Sequence, residues 1–283
     1  MTKQFYQEID LPDAWSKAFI DRVNGRIRID DYRGNLYTLN DRILEIARLE
    51  RVEKIIIKSR NEHIHLLLEL GFQLEGVVNG YFNGGDAYFV SKFLETNRRE
   101  NQFWIKEDEI IAGVRGLDRE ELFIEGGRIK KAKIDDAPRL SKLYQEVFEI
   151  YPVPLQEQDY LEDCLNSGTI FLFVEEGGEI VSAASAEINT QYSNVEMTDC
   201  ATLPKHRGKG YMKQLLLALE IELKSKNIYC AYTIARALSF GMNAAFHQLD
   251  YRYRGRLVNN CYIFDKMEDM NIWVKDLSKR IQN

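Results

Sequence analysis

The chain has 283 residues, of which 45% are hydrophobic and 29% charged, and its net charge is −6. This is the composition of a soluble globular protein, long enough for two ordinary domains. The acidic balance speaks against nucleic-acid binding, which needs a basic face, while leaving room for a local basic pocket for one small polyphosphate. The start, MTKQFYQEIDLPD, has no apolar core of signal-peptide length. No run approaches the ~18 apolar residues of a membrane helix, so a cytoplasmic protein with no membrane partner is expected. Cys164, Cys200, Cys230 and Cys261 lack Cys-x-x-Cys spacing and read as buried free thiols. His63 and His65 fall on different sides of an expected helix, so no metal site is expected.

In chain order, the apolar patterning predicts a strand at Lys54–Lys58, a helix over Asn61–Leu70, and hairpin strands within Val77–Leu94. Residues 97–121 are highly charged, with Trp104 and the Ile110-Ile111 pair as the clear apolar anchors. Glu125-Gly126-Gly127-Arg128 punctuates the pattern and divides the chain into domains 1–125 and 126–283. Beyond it come a short strand at Ile129–Ile134 and a helix that Asp135 or Asp136 can cap, with Leu140, Leu143, Tyr144 and Val147 on one face. Tyr151-Pro152-Val153-Pro154 breaks that helix, and a second short one follows at 157–166. Ile170–Glu175 and Ile180–Ile188 form a hairpin over Gly177-Gly178. Then follow a strand at Val195–Leu203, a helix over Gly210–Ser225, a strand at Ile228–Ala235, a helix at 239–249 and two closing strands up to about Phe264. The sum is an α/β domain with a mixed sheet.

The N-terminal half echoes the end of this pattern. Lys54–Lys58 matches 228–235 and Asn61–Leu70 matches 239–249. Leu70-Gly71-Phe72 followed by Gly76 matches Leu249-Asp250-Tyr251 followed by Gly255. The order and spacing read as a degenerate second copy; the alternative is two independent units of a common architecture.

The most informative stretch is Asp199-Cys-Ala-Thr-Leu-Pro-Lys-His-Arg-Gly-Lys-Gly-Tyr-Met212. A strand ends at Leu203-Pro204, a loop with two glycines follows, and a Leu-rich helix begins. Such glycines allow positive φ, and the amides and dipole at a helix N-terminus favour an anion. Arg207 and Lys209 add charge, so the loop suits a pyrophosphate. Neither G-x-x-x-x-G-K-[ST] nor G-x-G-x-x-G fits it.

In these features residues 128–270 resemble the GCN5-related N-acetyltransferase (GNAT) fold, whose Q/R-x-x-G-x-G/A signature is matched by Arg207-Gly208-Lys209-Gly210-Tyr211-Met212, with Met212 departing from the small final residue. The resemblance implies acetyl-CoA as co-substrate, its pyrophosphate on this loop and its pantetheine along Cys200, Ala201, Thr202 and Leu203. The N-terminal half then reads as a degenerate GNAT-like domain. Further strings resemble the beta-lysine N-acetyltransferases: Gly80-Tyr-Phe-Asn-Gly-Gly-Asp-Ala-Tyr-Phe-Val-Ser-Lys92, Thr198-Asp-Cys-Ala-Thr-Leu-Pro204, Tyr232-Thr-Ile-Ala-Arg-Ala237, Ser239-Phe-Gly-Met-Asn243 and Asn259-Asn260. They imply acetylation of the distal amine of beta-lysine.

Attack of an amine on a thioester needs a proton removed from an ammonium of pKa about 10.4. Two carboxylates stand before the loop. Glu196 occupies the position of the general base in the histone-acetylating branch, and Asp199 suits the holding of an ammonium. Three apart on a strand, they face opposite sides unless a bulge intervenes. A backbone amide near Ala201–Thr202 is the expected oxyanion donor. The Tyr that many GNAT members use as general acid falls on Phe246; Tyr232 and Tyr262 are alternatives, each with a packing role as its plainer reading. For the acceptor, Arg236 is the candidate for the carboxylate, Asn259 and Asn260 for the remaining polar groups, and Tyr151 for the acceptor wall. A surface ion pair is the plain alternative for Arg236, and a turn for the two asparagines. Competing functions are acetylation of another primary amine and non-catalytic acyl-CoA binding. The N-terminal half could pack on the catalytic domain, shape its acceptor pocket or form a homodimer interface.

Overall fold

The computed structural model describes residues 4–119 and 128–278; the expected junction at Glu125-Gly126-Gly127 lies outside them. The first half runs β1 (Gln4–Leu11), β2 (Ala14–Asp21), β3 (Arg26–Gly34), α1 (Leu36–Glu50), β4 (Lys54–Ser59), α2 (Ile64–Glu69), β5 (Gln73–Phe82), β6 (Gly85–Phe93) and α3 (Trp104–Arg115). The second runs β7 (Ile129–Lys131), α4 (Ala137–Val147), α5 (Gln158–Asn166), β8 (Ile170–Glu176), β9 (Glu179–Asn189), β10 (Asn194–Thr202), α6 (Tyr211–Ser225), β11 (Cys230–Arg236), α7 (Phe240–Gln248), β12 (Arg252–Ile263) and β13 (Lys266–Asp276).

These strands form one mixed sheet in the order β1-β2-β3-β4-β6-β5-β12-β13-β11-β10-β9-β8-β7. The order is a palindrome about the β5–β12 seam: β1 to β6 take the places of β8 to β13, and β7 is added at one end. Each half has one parallel pair, β3 with β4 and β10 with β11, bridged by α1 in one case and α6 in the other. At the seam Gly76 pairs with Gly255, the two glycines of the sequence echo. They are glycines because the backbones nearly touch: a Cβ on Gly255 would lie 2.2 Å from the Glu75 carbonyl oxygen and 2.4 Å from the Gly76 Cα. Symmetry extends to side chains that cross the seam. Arg26, which opens β3, donates to the Asn260 carbonyl at 3.0 Å, and Asn194, which opens β10, donates to the Tyr81 carbonyl at 2.8 Å.

Alternation along the strands sorts the interior into three cores. Ile27, Ile29, Ile55 and Ile57 pack under α1 with Leu39 and Ile43. Val195 and Met197 pack under α6 with Leu215, Leu216 and Leu219, in a core that also takes Ile111 and Val114 of α3. The opposite strand face holds the third core, where Ile56, Val78 and Phe89 of the first half meet Tyr232, Leu257 and Ile272 of the second. Among the described residues no helix is long and apolar enough to cross a membrane.

The two closing strands expected to finish near Phe264 run further. β12 reaches Ile263, Phe264 takes a positive φ of 58° in the turn, and β13 continues to Asp276. The turn has neither glycine nor proline, so nothing in the sequence marks it. The charged stretch 97–121 contains α3, whose buried face is the narrow set Glu107, Ile111 and Val114.

Candidate active site: a cleft where two parallel strands part

β10 and β11 pair in parallel over Asn194–Glu196 and Cys230–Tyr232. The pairing stops there, and a cleft of about 650 Å³ opens between the diverging ends. One wall is Thr198, Asp199, Cys200 and Thr202; the other is Thr233 to Arg236. On its far side β10 stays bonded to β9, Ala201 opposite Ala183 and Thr202 opposite Ser182. The β10 edge facing the cleft is thus available to an extended ligand.

The cleft ends at the glycine loop, where Arg207, Gly208, Lys209, Gly210, Tyr211 and Met212 all contribute to its lining. Gly208 and Gly210 have φ of +79° and +77°, and a Cβ at either would meet nothing within 4 Å. The backbone conformation, not crowding, requires glycine here. Gly210 is the N-cap of α6 and no side chain caps that helix, so its first amides face the cleft mouth with the positive end of the dipole. Glu176 on β8 gathers the loop's polar side chains: Lys209 Nζ at 3.2 Å, His206 Nδ1 at 3.0 Å, and the Tyr211 hydroxyl. An uncapped 15-residue helix entered through two positive-φ glycines beside Arg207 and Lys209 fits a pyrophosphate.

A bulge lies between Thr198 and Ala201 in the pairing of β10 with β9, and Asp199 sits in it with φ of 49°. The bulge is pinned from below, where the buried Tyr144 hydroxyl donates to the Asp199 carbonyl at 3.0 Å. It turns the Asp199 carboxylate into the cleft, 4% exposed, where Ser185 Oγ donates to it at 2.7 Å and the Tyr151 hydroxyl also hydrogen-bonds it. Burial pushes its pKa up to about 6; the Ser185 and Tyr151 bonds oppose the rise, and neighbouring Glu196 adds to it. Glu196, three residues earlier on β10, is half-buried, accepts from the Tyr232 hydroxyl at 3.0 Å and does not line this cleft. Opposite Glu196 on β9 is Glu187. Its pKa is raised to about 8, first by desolvation and then by Asp199 and Glu196. The bulge therefore brings Asp199 to the two carboxylates, Glu187 and Glu196, that strand register already pairs.

Of the remaining sequence candidates, Cys200 and Thr202 line the cleft, while Ala201 and Leu203 turn into the core at 1% and 2% exposure. Tyr151 lines it, on a loop held by Gln4 of β1, whose amide donates to the Pro152 carbonyl at 2.8 Å. Arg236 lines it too, but its fork is bound to Glu268 at 2.8 and 2.6 Å. Asn259 and Asn260 lie at a bulge of β12 and do not line the cleft. Asn259 donates to the carbonyls of Arg98 and Glu100, and Asn260 is 2% exposed against Cys261. Phe246 lines the cleft and packs edge-on against Tyr251, and the Tyr262 hydroxyl is bonded to the Asp265 carbonyl. Ser185 and Glu187 escaped the sequence reading. The signal was their two-residue spacing, which puts both on one face of a strand otherwise rich in alanine.

The acetyltransferase (GNAT) family model matches residues 137–250, spanning β10, the glycine loop and α6. Over nearly its whole length the chain is similar to the N-acetyltransferase YodP of Bacillus subtilis, 36% identical over 263 residues, 91% of this chain and 94% of that protein. The chain belongs to the GNAT acetyltransferase family. This GNAT chain is also similar to the beta-lysine N(6)-acetyltransferase of Methanosarcina mazei, 35% identical over 87% of this chain and 100% of that protein. A protein of the same name from Methanococcus maripaludis is 32% identical over 90% of this chain and 94% of its own. The chain is an acetyltransferase, and the cleft at the β10–β11 split brings the glycine loop, an open strand edge and a buried carboxylate together.

Proposed function

We propose that this enzyme transfers the acetyl group of acetyl-CoA directly to the distal amine of beta-lysine, with Asp199 as the general base. Acetyl-CoA supplies the acetyl thioester. The amides at the start of α6, with Arg207 and Lys209, would hold its pyrophosphate, and the open edge of Cys200 to Thr202 would hold its pantetheine arm. The observation that carries the reading is Asp199. It is buried in the bulge at the head of that open edge, with its pKa raised to about 6, ionised at neutral pH but basic enough to take a proton from an amine presented beside it. Ser185 and Tyr151 fix the carboxylate's orientation by donating to it. Glu196, tied to Tyr232, is assigned a role in attracting the cationic acceptor rather than in taking a proton. No tyrosine is required as an acid, because a thiol of pKa about 8.5 leaves readily as the thiolate. The beta-lysine assignment draws on the names of the two archaeal relatives.

Thiol release from acetyl-CoA, with beta-lysine, α-lysine, a polyamine and a histone-like peptide compared at equal concentration, tests this reading. Beta-lysine should give the highest kcat/KM by at least about tenfold, the order of one good polar contact. A flat profile, or a clear preference for another amine, would refute the substrate assignment, and CoA binding without turnover of any amine would refute the enzymatic one for these acceptors.

A further inference from the structure

The third core lies on the face of the sheet turned away from α1 and α6, and both halves present polar side chains on that face. Alternation puts Glu196 there, because Val195 and Met197 point under α6; it puts Arg28 there, because Ile27 and Ile29 point under α1. The two residues are equivalents in the repeat: Arg28 pairs in register with Ile56 of β4 as Glu196 pairs with Tyr232 of β11. Where one copy has a carboxylate, the other has a guanidinium.

Contacts join the two positions. Arg28 forks onto Asp30 at 2.6 and 3.0 Å, and Lys58 reaches the same Asp30 at 2.8 Å and the Tyr81 hydroxyl at 3.1 Å. The Tyr81 ring meets the Tyr232 ring at 5.7 Å, and the Tyr232 hydroxyl donates to Glu196. The charges of Arg28 and Lys58 are felt by Glu187, and that of Arg28 by Glu196 in turn. Two groups in this cluster are incompletely paired. Arg28 uses Nε and Nη2, its Nη1 has no partner among the described residues, and its side chain keeps 24% exposure. Glu187 keeps an exposed surface although its carboxylate is desolvated beside Asp199 and Glu196, and that carboxylate has no hydrogen-bond or ion-pair partner among the described residues. The incompletely neutralised cations Arg28 and Lys58 and the unpaired carboxylate of Glu187, close enough to act on one another and with Glu187 near Asp199, match an acceptor that carries both charges. Arg28 and Lys58 share the one carboxylate of Asp30, which leaves a net positive charge, whereas Arg236 is neutralised by Glu268, its ion-pair partner among the described residues.

We propose that the N-terminal half reads the acceptor: Arg28, backed by Lys58, binds the carboxylate of an amino-acid substrate whose non-reacting ammonium is held by Glu187 and Glu196. The inference rests on the diamino-acid reading above and adds to it a division of labour, in which one copy of the fold holds the donor and the other selects the acceptor. It makes Arg28 a specificity residue about which the CoA loop says nothing.

The test is calorimetric binding to the CoA-saturated enzyme of beta-lysine and of its decarboxylated counterpart, 1,4-diaminopentane, for the wild type, Arg28→Met and Arg28→Lys. Arg28→Met should lose about 30-fold or more in affinity for beta-lysine, the usual consequence of removing one partner of a buried charge pair. Its affinity for the diamine should stay within about threefold, since the diamine never used the group. Arg28→Lys should recover part of the loss. CoA affinity of each variant reports that the fold is intact. Equal losses for both ligands, or no loss for beta-lysine, would overturn the proposal. A wild type that binds the diamine as tightly as beta-lysine overturns it while leaving the acetyl transfer untouched. A wild type that binds beta-lysine in this carboxylate-dependent way without acetylating it upholds Arg28 and contradicts the proposed activity. Binding of neither ligand contradicts both.

Discussion

The two halves of the sheet share one strand order and differ at the start of their crossover helices. In the C-terminal half the chain enters α6 through Gly208 and Gly210, and no side chain caps the helix. In the N-terminal half the chain enters α1 through Asn35, whose side chain accepts from the amides of Tyr37 and Thr38. The Asp13 carboxylate takes the Thr38 hydroxyl at 2.9 Å, and the Asp13 carbonyl takes the Asn35 amide at 2.9 Å. The same helix end is thus uncapped, its first amides left open, in one copy and closed by a self-satisfied cap in the other. The strands before the helices differ in parallel, with Arg28 standing where β10 has Glu196. A repeat can keep its architecture and change its chemistry by altering a few residues at one strand end and one cap.

The seam is where this comparison is easiest to break. Gly255→Ala places a methyl against the Glu75 carbonyl and the Gly76 backbone. It should destabilise the protein by about 3 kcal/mol in chemical denaturation, from overpacking plus an unfavourable φ of +141°. A loss below about 1 kcal/mol would mean that the halves do not depend on that close approach. Gly210→Val, which forces a β-branched residue into positive φ, should weaken CoA binding by about 30-fold while costing about 1–2 kcal/mol of stability, less than the seam substitution. Asn35→Ala sharpens the contrast from the other side. It should lower stability by about 1 kcal/mol and leave CoA affinity unaltered, since the amides of that helix end are already taken by the Asn35 side chain. The smallest effect is electrostatic. Burial, with Asp199 and Glu196 nearby, raises the Glu187 pKa to about 8, so this group favours the fold fully only below its unfolded pKa near ~4.3, and the contribution is lost as pH rises through 8. Glu187→Gln should therefore raise Tm slightly above pH 8 and hardly at all at pH 5.

How much of this could be read from residues alone follows from what each signal encodes. The glycine loop, the helix after it and the echo of Gly76 in Gly255 were legible, because backbone conformation and close approach leave a residue type behind. The Gly177-Gly178 hairpin was legible for the same reason. The first three strands had no assigned elements, since β2 and β3 bury Ser16, Asp21 and Arg26 and so interrupt the apolar alternation. The Asp199 bulge was named only as a condition, because nothing marks a positive φ at an aspartate. The pairing of Glu187 with Glu196, and the opposition of Arg28 to both, depend on which distant strands share a face. That depends on register, which one sequence does not print.

The pH dependence of kcat with beta-lysine, for wild type and Asp199→Asn, tests the account most directly. The wild-type rate should be low in acid and rise as Asp199 ionises through a pKa of about 6. Asp199→Asn should lose about 100-fold or more in kcat at pH 7.5, keep its CoA affinity, and lose the acid limb. A variant that retained both the rate and the limb would contradict the assignment of the base, and with it the claim that the bulge exists to place that carboxylate.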